Sequence, residues 1–184
     1  MGVGDNSLKK AVFLDRDGVI NEAVVRDGKP YPPQSVAETV IGSGVARGLQ
    51  LLKDSGFELA VVTNQPDVAR GTQVREKVEE INAYLASILP IDYFAVCYHD
   101  DSSGCECRKP RPGLIKLAAR ELGVDISRSF LVGDRWRDIE AGLVAGCKTV
   151  WLDRGYDEKS PIGFDFRVVS MIDAAHWIID QRGS

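Results

Sequence analysis

Short continuous apolar segments alternate along the chain with segments whose apolar residues recur at helical spacing. Continuous runs of this length are typical of strands buried on both faces of a parallel sheet. They cover residues 11–14, 59–62, 93–97, 130–132 and 149–152, and the helical patterns cover 45–56, 74–90, 112–123, 139–146 and 171–180. This alternation predicts an α/β fold, with a doubly wound, Rossmann-like parallel sheet between two helical layers.

The pattern gives no sign of a second domain. No internal repeat, low-complexity tract or linker interrupts it, and we expect residues 1–184 to form a single domain. Residues 23–40, which contain Gly28, Pro30, Pro32 and Pro33, follow neither period. We interpret this segment as a long loop, and loops of that length in compact domains are usually functional or disordered.

Charge and hydropathy narrow the classes of partner. The chain has 23 basic and 27 acidic residues and a formal charge of −4, which disfavours nucleic acid, because that binding depends on neutralising phosphates. The longest apolar run, residues 93–98, is far shorter than the roughly 18 residues of a membrane-spanning helix, and the first ten residues carry no apolar leader. We therefore expect a cytoplasmic protein with a small-molecule partner, as a monomer or weak homo-oligomer.

Acidic residues follow two of the predicted strands. Asp15 and Asp17 come directly after the first strand, and Asp134 and Asp138 follow the fourth. Ligand sites of open α/β sheets lie beyond the carboxyl ends of the strands, and carboxylates two residues apart on an extended chain point the same way. The pattern favours metal binding and proton transfer. An acidic turn, or capping of the following helix, would explain the same residues.

Polar and basic residues follow two further strands. Thr63, Asn64 and Gln65 come after the second strand, where they could bind phosphate or form an ordinary turn. The basic segment 108–111 precedes a predicted helix, whose N-terminus favours anions, although it could also be a solvated charge run. The candidate substrate-binding residues are Arg16, Asn64, Gln65, Arg108, Arg111 and Arg135.

In this order, the four strand-end motifs resemble the haloacid dehalogenase (HAD) superfamily of phosphohydrolases. The resemblance implies an HAD-like fold, with Asp15 as the nucleophile and Asp17 as the general acid and base. It further implies that Asp15, the Asp17 backbone carbonyl and Asp134 hold a catalytic Mg²⁺, and that Thr63 and Lys109 hold the transferring phosphoryl group. Phosphoryl transfer depends mainly on positioning and charge neutralisation, and Mg²⁺ prefers oxygen ligands, so these residue types suit the roles.

A cluster of soft ligands lies between the third strand and the basic segment. Cys97 and His99 are followed by Cys105 and Cys107, all within residues 97–107. This Cys₃His set would complete a closed tetrahedral site, which predicts a structural Zn²⁺ that fixes the approach to Lys109. A disulfide or a chance cluster are the alternatives. Cys147 stands apart and is expected only to pack.

The Cys-x-His and Cys-x-Cys pairs before Arg-Lys-Pro resemble the capless branch of the superfamily. Heptose 1,7-bisphosphate 7-phosphatases and histidinol-phosphate phosphatases belong to this branch. The 46 positions from Asp17 to Thr63, and from Thr63 to Lys109, are already filled by predicted elements, so no cap domain fits. The resemblance implies a sugar phosphate substrate, with D-glycero-D-manno-heptose 1,7-bisphosphate first and histidinol phosphate second. A non-catalytic phosphosugar-binding module remains the alternative from another class.

Overall fold

The computed structural model describes residues 9–181 and has a parallel sheet at its centre. The expectation of no apolar leader concerns the first ten residues, which lie mostly outside this range. The last three residues of the predicted 1–184 domain also lie outside it. The strands are β1 (Lys10–Leu14), β2 (Val24–Arg26), β3 (Lys29–Tyr31), β4 (Phe57–Asn64), β5 (Tyr93–Cys97), β6 (Phe130–Gly133), β7 (Lys148–Leu152) and β8 (Phe166–Val168). The helices are α1 (Val45–Asp54), α2 (Arg75–Ile88), α3 (Gly113–Leu122), α4 (Trp136–Ala145) and α5 (Met171–Asp180).

The six-stranded sheet has the order β5-β4-β1-β6-β7-β8 and all its pairs are parallel. Strand β1 lies in the interior, where Val12 is in register with Leu59 of β4 and Phe130 of β6. Since all strands point the same way, their carboxyl ends share one edge. The predicted α/β parallel fold is confirmed.

Two apolar cores lie on the two faces of this sheet. Val12 and Leu14 of β1 belong to the core that α1, α2 and α5 cover, whereas Ala11 and Phe13 belong to the core under α3 and α4. Successive side chains of a strand point to opposite faces, so a strand buried on both sides has to be apolar throughout. This requirement explains the unbroken apolar runs of the sequence.

The prediction of a long loop over residues 23–40 is partly wrong. Strands β2 and β3 form an antiparallel hairpin within it, and the two turn residues Asp27 and Gly28 have φ angles of 49° and 73°. Positive φ at both central positions is the geometry that Asp-Gly favours in a two-residue hairpin turn. Strand β8 was also missed, because three residues are too short to show a period.

The hairpin and the cysteine-containing loop lie in the two intervals where no cap domain was expected to fit. Within residues 9–181, the first interval holds the hairpin and α1, and the second holds α2, β5 and the loop 98–108. None of the described helices is long and apolar enough to cross a membrane.

Candidate active site

The carboxyl ends of β1, β4 and β6 meet at the floor of a cleft of about 250 Å³. Asp15 and Asp17 follow β1, Thr63 lies near the end of β4, and Asp138 is in the first turn of α4 after β6. Lys109 reaches the same floor from the segment before α3. The sheet therefore assembles the predicted catalytic residues from distant parts of the chain.

Lys109 joins two carboxylates at the cleft floor. Its Nζ lies 2.8 Å from Oδ1 of Asp15 and 2.6 Å from Oδ1 of Asp138. The other oxygen of Asp138 accepts a hydrogen bond of 3.0 Å from the backbone N–H of Arg135. All three charged residues are at most 8% exposed. Water screens such contacts little, so each charge depends strongly on its neighbours.

The electrostatics of this cluster favour a charged lysine. Burial alone would lower the pKa of Lys109, but the carboxylates of Asp138 and Asp15 outweigh it and hold that pKa above its ordinary value. Burial raises the pKa of Asp15 to about 6, against the opposing effect of Lys109. At neutral pH, Lys109 is therefore a permanent cation beside the Asp15 carboxylate.

Asp134 is the carboxylate that lacks partners. It is 4% exposed, and neither of its side-chain oxygens has a hydrogen-bond partner of good geometry among residues 9–181, although the Tyr156 hydroxyl lies close enough to lower the pKa of Asp134. Burial, followed by the charges of Asp15 and Asp138, raises its pKa well above the ordinary value. A buried polar atom without a partner is costly, and a metal ion would satisfy it. This donor set of hard oxygens fits Mg²⁺.

The three carboxylates Asp15, Asp134 and Asp138 have ligand oxygens within 4.8 Å of one another. Both oxygens of Asp138 already have a close polar partner, Lys109 or the Arg135 backbone, whereas neither oxygen of Asp134 has a hydrogen bond of good geometry. Asp134 therefore fits the metal-ligand role and Asp138 fits the role of fixing Lys109. Gly18 allows this arrangement, because a Cβ there would lie 1.8 Å from Oδ2 of Asp134.

Hydrogen bonds hold the Asp17 carboxylate on both oxygens. Oδ1 accepts from Nε of Arg16 at 3.1 Å and from Nδ2 of Asn21 at 3.0 Å. Oδ2 accepts from Nη2 of Arg16 at 3.0 Å and from Nε2 of Gln65 at 2.7 Å. The side chain still lines the cleft. Asp17 is thus fixed in orientation where it lines the cleft.

The last residue of β4, Asn64, and the residue after it, Gln65, hold the neighbouring cleft residues in place. Gln65 donates its amide to Oγ1 of Thr63 at 2.9 Å as well as to Asp17. Asn64 exchanges two hydrogen bonds with the backbone of Lys109, at 3.0 and 3.1 Å. The end of β4 therefore orients both Asp17 and the lysine segment.

The predicted zinc ligands lie together at the end of β5, where Cys97 is the last residue, and in the loop after it. The reactive atoms of Cys97, His99, Cys105 and Cys107 are all within 4.8 Å of one another, and every cysteine is a free thiol. The three sulfur atoms are 3.1, 3.4 and 3.8 Å apart. Zinc–sulfur bonds of about 2.3 Å at tetrahedral angles place sulfur atoms about 3.8 Å apart, so the cluster fits a slightly contracted Zn²⁺ site.

Comparisons with known proteins agree with this geometry. The family model for HAD-hydrolase-like proteins matches residues 106–173. The D-glycero-beta-D-manno-heptose-1,7-bisphosphate 7-phosphatase of Haemophilus ducreyi is 34% identical over 158 residues, which cover 79% of this chain and 84% of that relative. The D-glycero-alpha-D-manno-heptose-1,7-bisphosphate 7-phosphatase of Photorhabdus laumondii is 33% identical over 83% of this chain and 87% of that relative.

The chain belongs to the HAD-like hydrolase family. A solved D,D-heptose 1,7-bisphosphate phosphatase from B. bronchiseptica, complexed with magnesium and phosphate, superposes with a TM-score of 0.79. It is 27% identical, and the match covers 94% of this chain and 99% of that one. The resemblance inferred from the strand-end motifs and the HAD-like fold class are both confirmed.

In this HAD-like hydrolase, several basic side chains line the cleft together with the carboxylates. We refer to these basic side chains as the rim of the cleft. Arg108 and Arg135, which the sequence identified as substrate-binding candidates, both line the cleft, as does Asn64. Arg135 is paired with Glu158, and Arg108 lies 3.0 Å from Asp101. For these three residues, substrate binding stays a prediction.

Three other substrate-binding candidates, Arg16, Gln65 and Arg111, do not line the cleft, and their contact with substrate stays a prediction. Arg16 has no exposed surface, because its guanidinium lies under Asp17. Gln65 is 2% exposed and points to Thr63 and Asp17. Arg111 does not line the cleft; its guanidinium donates to the backbone carbonyls of Gly104 and Cys105 and holds the cysteine-containing loop.

Several residues of the rim escaped the sequence analysis. Arg70 and Arg137 line the cleft and lie 3.4 and 3.6 Å from Asp101, the carboxylate that also pairs with Arg108. Lys29 of the hairpin lines the cleft as well. A cation on a helix or loop carries no local signal of its destination, so only the folded chain identifies these residues.

Proposed function

We propose that the chain is a Mg²⁺-dependent phosphomonoester hydrolase that acts through an aspartyl-phosphate at Asp15. The observation that carries this proposal is the buried contact between Lys109 and Asp15, next to the unpartnered oxygens of Asp134. A carboxylate nucleophile divides the hydrolysis into two easier steps, and fixed charges stabilise the phosphoryl group that passes between them.

In the first step, an oxygen of Asp15 attacks phosphorus while the ester P–O bond breaks. Asp17 gives a proton to the leaving oxygen. In the second step, water attacks the phosphorus and Asp17 takes a proton from it, so the bond to Asp15 breaks and phosphate leaves. Lys109 neutralises charge on Asp15 and on the transferring group, and Thr63 holds a phosphoryl oxygen.

The residues present fit the metal that this chemistry uses. Asp15, Asp134 and the backbone carbonyl of Asp17 would hold Mg²⁺, and the bound ion would supply charge neutralisation for the phosphoryl oxygens. Asp138 remains bonded to Lys109 and supports the site from outside this set. The magnesium in the solved heptose bisphosphate phosphatase supports this assignment.

We propose D-glycero-D-manno-heptose 1,7-bisphosphate as the substrate, with the 7-phosphate as the group removed. Curated relatives at 31–35% identity act on this compound by name, in its beta or alpha form. The cations Lys29, Arg70, Arg108 and Arg137 at the cleft also suit a substrate with a second anionic group. Histidinol phosphate, the runner-up, lacks such a group.

A phosphate-release assay decides between these possibilities. The purified chain would be supplied with both anomers of the heptose bisphosphate, histidinol phosphate and 4-nitrophenyl phosphate, with Mg²⁺ or with EDTA. We expect Mg²⁺-dependent release and the highest kcat/KM for a heptose bisphosphate. A higher kcat/KM for histidinol phosphate would contradict the heptose assignment and make histidinol phosphate the assigned substrate. No release from any ester would favour the non-catalytic phosphosugar-binding module.

We further propose that Cys97, His99, Cys105 and Cys107 hold one structural Zn²⁺. Four protein ligands leave no open position for water, which suits a structural role. Cys107 adjoins Arg108, so a fixed cluster would also fix the backbone that presents Arg108 and Lys109 to the cleft. Metal analysis of protein purified without added zinc tests the assignment, and less than about half an equivalent would contradict it.

A further inference from the structure

Beneath the proposed general acid lies the largest fully buried side chain among residues 9–181, that of Arg16. Its guanidinium makes a two-point contact with Asp17, from Nε to Oδ1 and from Nη2 to Oδ2. An arginine fork of this kind fixes the plane of a carboxylate as well as its position. The orientation of Asp17 therefore depends on how firmly Arg16 itself is held.

Asn82 holds the other end of the guanidinium. Its side-chain oxygen accepts a hydrogen bond of 2.9 Å from Nη1 of Arg16, across 66 positions of sequence. Asn82 lies in the middle of α2 and is 8% exposed, on the face that also carries the buried residues Val78, Ile81 and Leu85. Asparagine is a poor helix former, and a buried amide needs a partner, so its place on an apolar face needs a cause.

We propose that Asn82 is a positioning residue that acts through Arg16 to orient the Asp17 carboxylate for proton transfer. The inference rests on the proposed phosphatase function and deepens it. Arg16 can only donate, and its fork takes one acceptor position on each oxygen of Asp17. The proton that Asp17 transfers must then leave from a position that Asn21 or Gln65 fills in this structure, so one of these two hydrogen bonds has to give way to the leaving oxygen while the arginine fork keeps the carboxylate in place.

Loss of the Asn82 contact should affect only the step in which Asp17 donates a proton to the leaving oxygen. Alkoxide leaving groups are strongly basic and require protonation, whereas 4-nitrophenolate is a stable anion that leaves without it. The value of kcat/KM counts only the steps up to phosphoryl transfer to Asp15. A loosened Asp17 should therefore lower kcat/KM for an alkyl phosphate and leave that for 4-nitrophenyl phosphate nearly unchanged.

The test compares Asn82→Leu, Asn82→Asp and the wild type on the heptose bisphosphate and 4-nitrophenyl phosphate, with Mg²⁺ present. For Asn82→Leu, we expect kcat/KM on the heptose compound to fall about tenfold, part of the roughly 10²–10⁴-fold that general acids supply. On the aryl ester, it should change less than about twofold. Asn82→Asp keeps the acceptor oxygen, so the ratio of its kcat/KM on the heptose compound to its kcat/KM on the aryl ester should stay within about threefold of the wild-type ratio. Glu76→Gln, at an exposed position of α2, is the matched control.

Each result has a defined meaning. Equal losses on both esters, or no loss on either, would overturn the positioning role while the phosphatase function stands. If Asn82→Leu does not fold, Asn82→Ala, which also lacks the acceptor oxygen, decides: an alkyl-specific loss supports the role, and equal losses on both esters or no loss contradict it. A wild type that releases no phosphate from either ester would overturn the proposed function and this inference with it. A wild type active only on another alkyl phosphate would be compared on that compound.

Discussion

The carboxylate floor and the cysteine-containing loop are both clusters of potential metal ligands, but the chain builds them in different ways. Asp15 and Lys109 are 94 positions apart and meet only because β1 and the segment before α3 reach the same edge of the sheet. The four soft ligands lie within residues 97–107, at the end of β5 and in the loop after it. The first cluster depends on the whole fold and the second on local chain geometry.

Burial separates the two clusters further. Asp15, Lys109, Asp134 and Asp138 are at most 8% exposed, whereas two of the three loop cysteines and His99 retain solvent contact. Loss of one partner from a buried ion pair leaves an uncompensated charge and is strongly destabilising. Loss of a ligand from the loop should instead release a metal and loosen one segment. Substitutions at the two clusters should therefore fail in different ways.

The largest expected effect is on Asp15. Asp15→Asn removes the charge of the nucleophile with almost no change of volume, so turnover should fall below about a hundredth of wild type, since covalent and metal roles together supply several kcal/mol. Asp17→Asn should also be severe. Phosphate release on the best substrate of the panel measures both, with the exposed Glu140→Gln on α4 as a control. Retention of more than a hundredth of the rate by Asp15→Asn would exclude the covalent mechanism.

Lys109→Met should combine loss of rate with loss of stability. We expect kcat to fall by about two orders of magnitude, because the ammonium stabilises the transferring group in the transition state. The substitution also leaves Asp15 and Asp138 without their cation, which should cost about 3–5 kcal/mol of unfolding free energy. Steady-state kinetics and denaturant unfolding measure these effects, with Lys116→Met on α3 as control. A change in KM alone would show that Lys109 binds substrate uniformly.

Cys105→Ser should have an intermediate effect. We expect zinc loss, a lower melting temperature and activity reduced by about tenfold, because metal binding to the native state contributes directly to folding free energy. Metal analysis, thermal unfolding and phosphate release measure the three effects. Cys147→Ser is the matched control, since Cys147 lies outside the cluster and should leave zinc in place. Full zinc content in a Cys105→Ser, Cys107→Ser double variant would contradict the assignment of these cysteines as zinc ligands.

Much of this contrast could be predicted from the sequence. Parallel strands bring their carboxyl ends to one edge, so acidic residues after the first and fourth strands could be expected to meet. The loop ligands could be identified from spacing alone. The roles of Asp134 and Asp138 could not be separated, because they depend on which oxygens Lys109 and the helix backbone occupy.

The differences from the sequence-based expectations have physical reasons as well. Arg16 lies between Asp15 and Asp17, and the alternation that an extended chain would impose places its side chain on the opposite side from the two carboxylates. That signal was available, as was the Asp-Gly turn of the hairpin. The orientation of Arg111 was not, because a flexible side chain next to a proline-fixed backbone can turn to either side. The sequence analysis did not identify Asn82, whose only signal is its place as a polar residue on the apolar face of α2.

A smaller difference should separate two arginines of the basic segment. Arg108 lines the cleft, whereas Arg111 holds the loop carbonyls from outside it. We expect Arg108→Ala to raise KM for the heptose bisphosphate about tenfold, the usual size of one charge-assisted contact, and Arg111→Ala to change it less than threefold. Steady-state kinetics on this substrate and on 4-nitrophenyl phosphate measure the difference. Equal effects of the two substitutions would contradict the assignment of Arg108 to the substrate.

The smallest expected effect is the dependence of Mg²⁺ stabilisation on pH. Burial raises the pKa of Asp15 from 3.8 to about 6 and that of Asp134 well above its usual value, so the metal-free native state keeps protons that the unfolded chain has released. Its stability should therefore fall as pH rises from about 4 through 6, by up to about 3 kcal/mol for Asp15. Mg²⁺ binds the ionised carboxylates and should raise the melting temperature more at pH 7 than at pH 5. Thermal unfolding with and without Mg²⁺ measures this, and Asp134→Asn should lose the effect while Glu140→Gln keeps it. Equal stabilisation at both pH values, or full stabilisation of Asp134→Asn, would place the ion elsewhere and leave the unpartnered oxygens of Asp134 without a metal role.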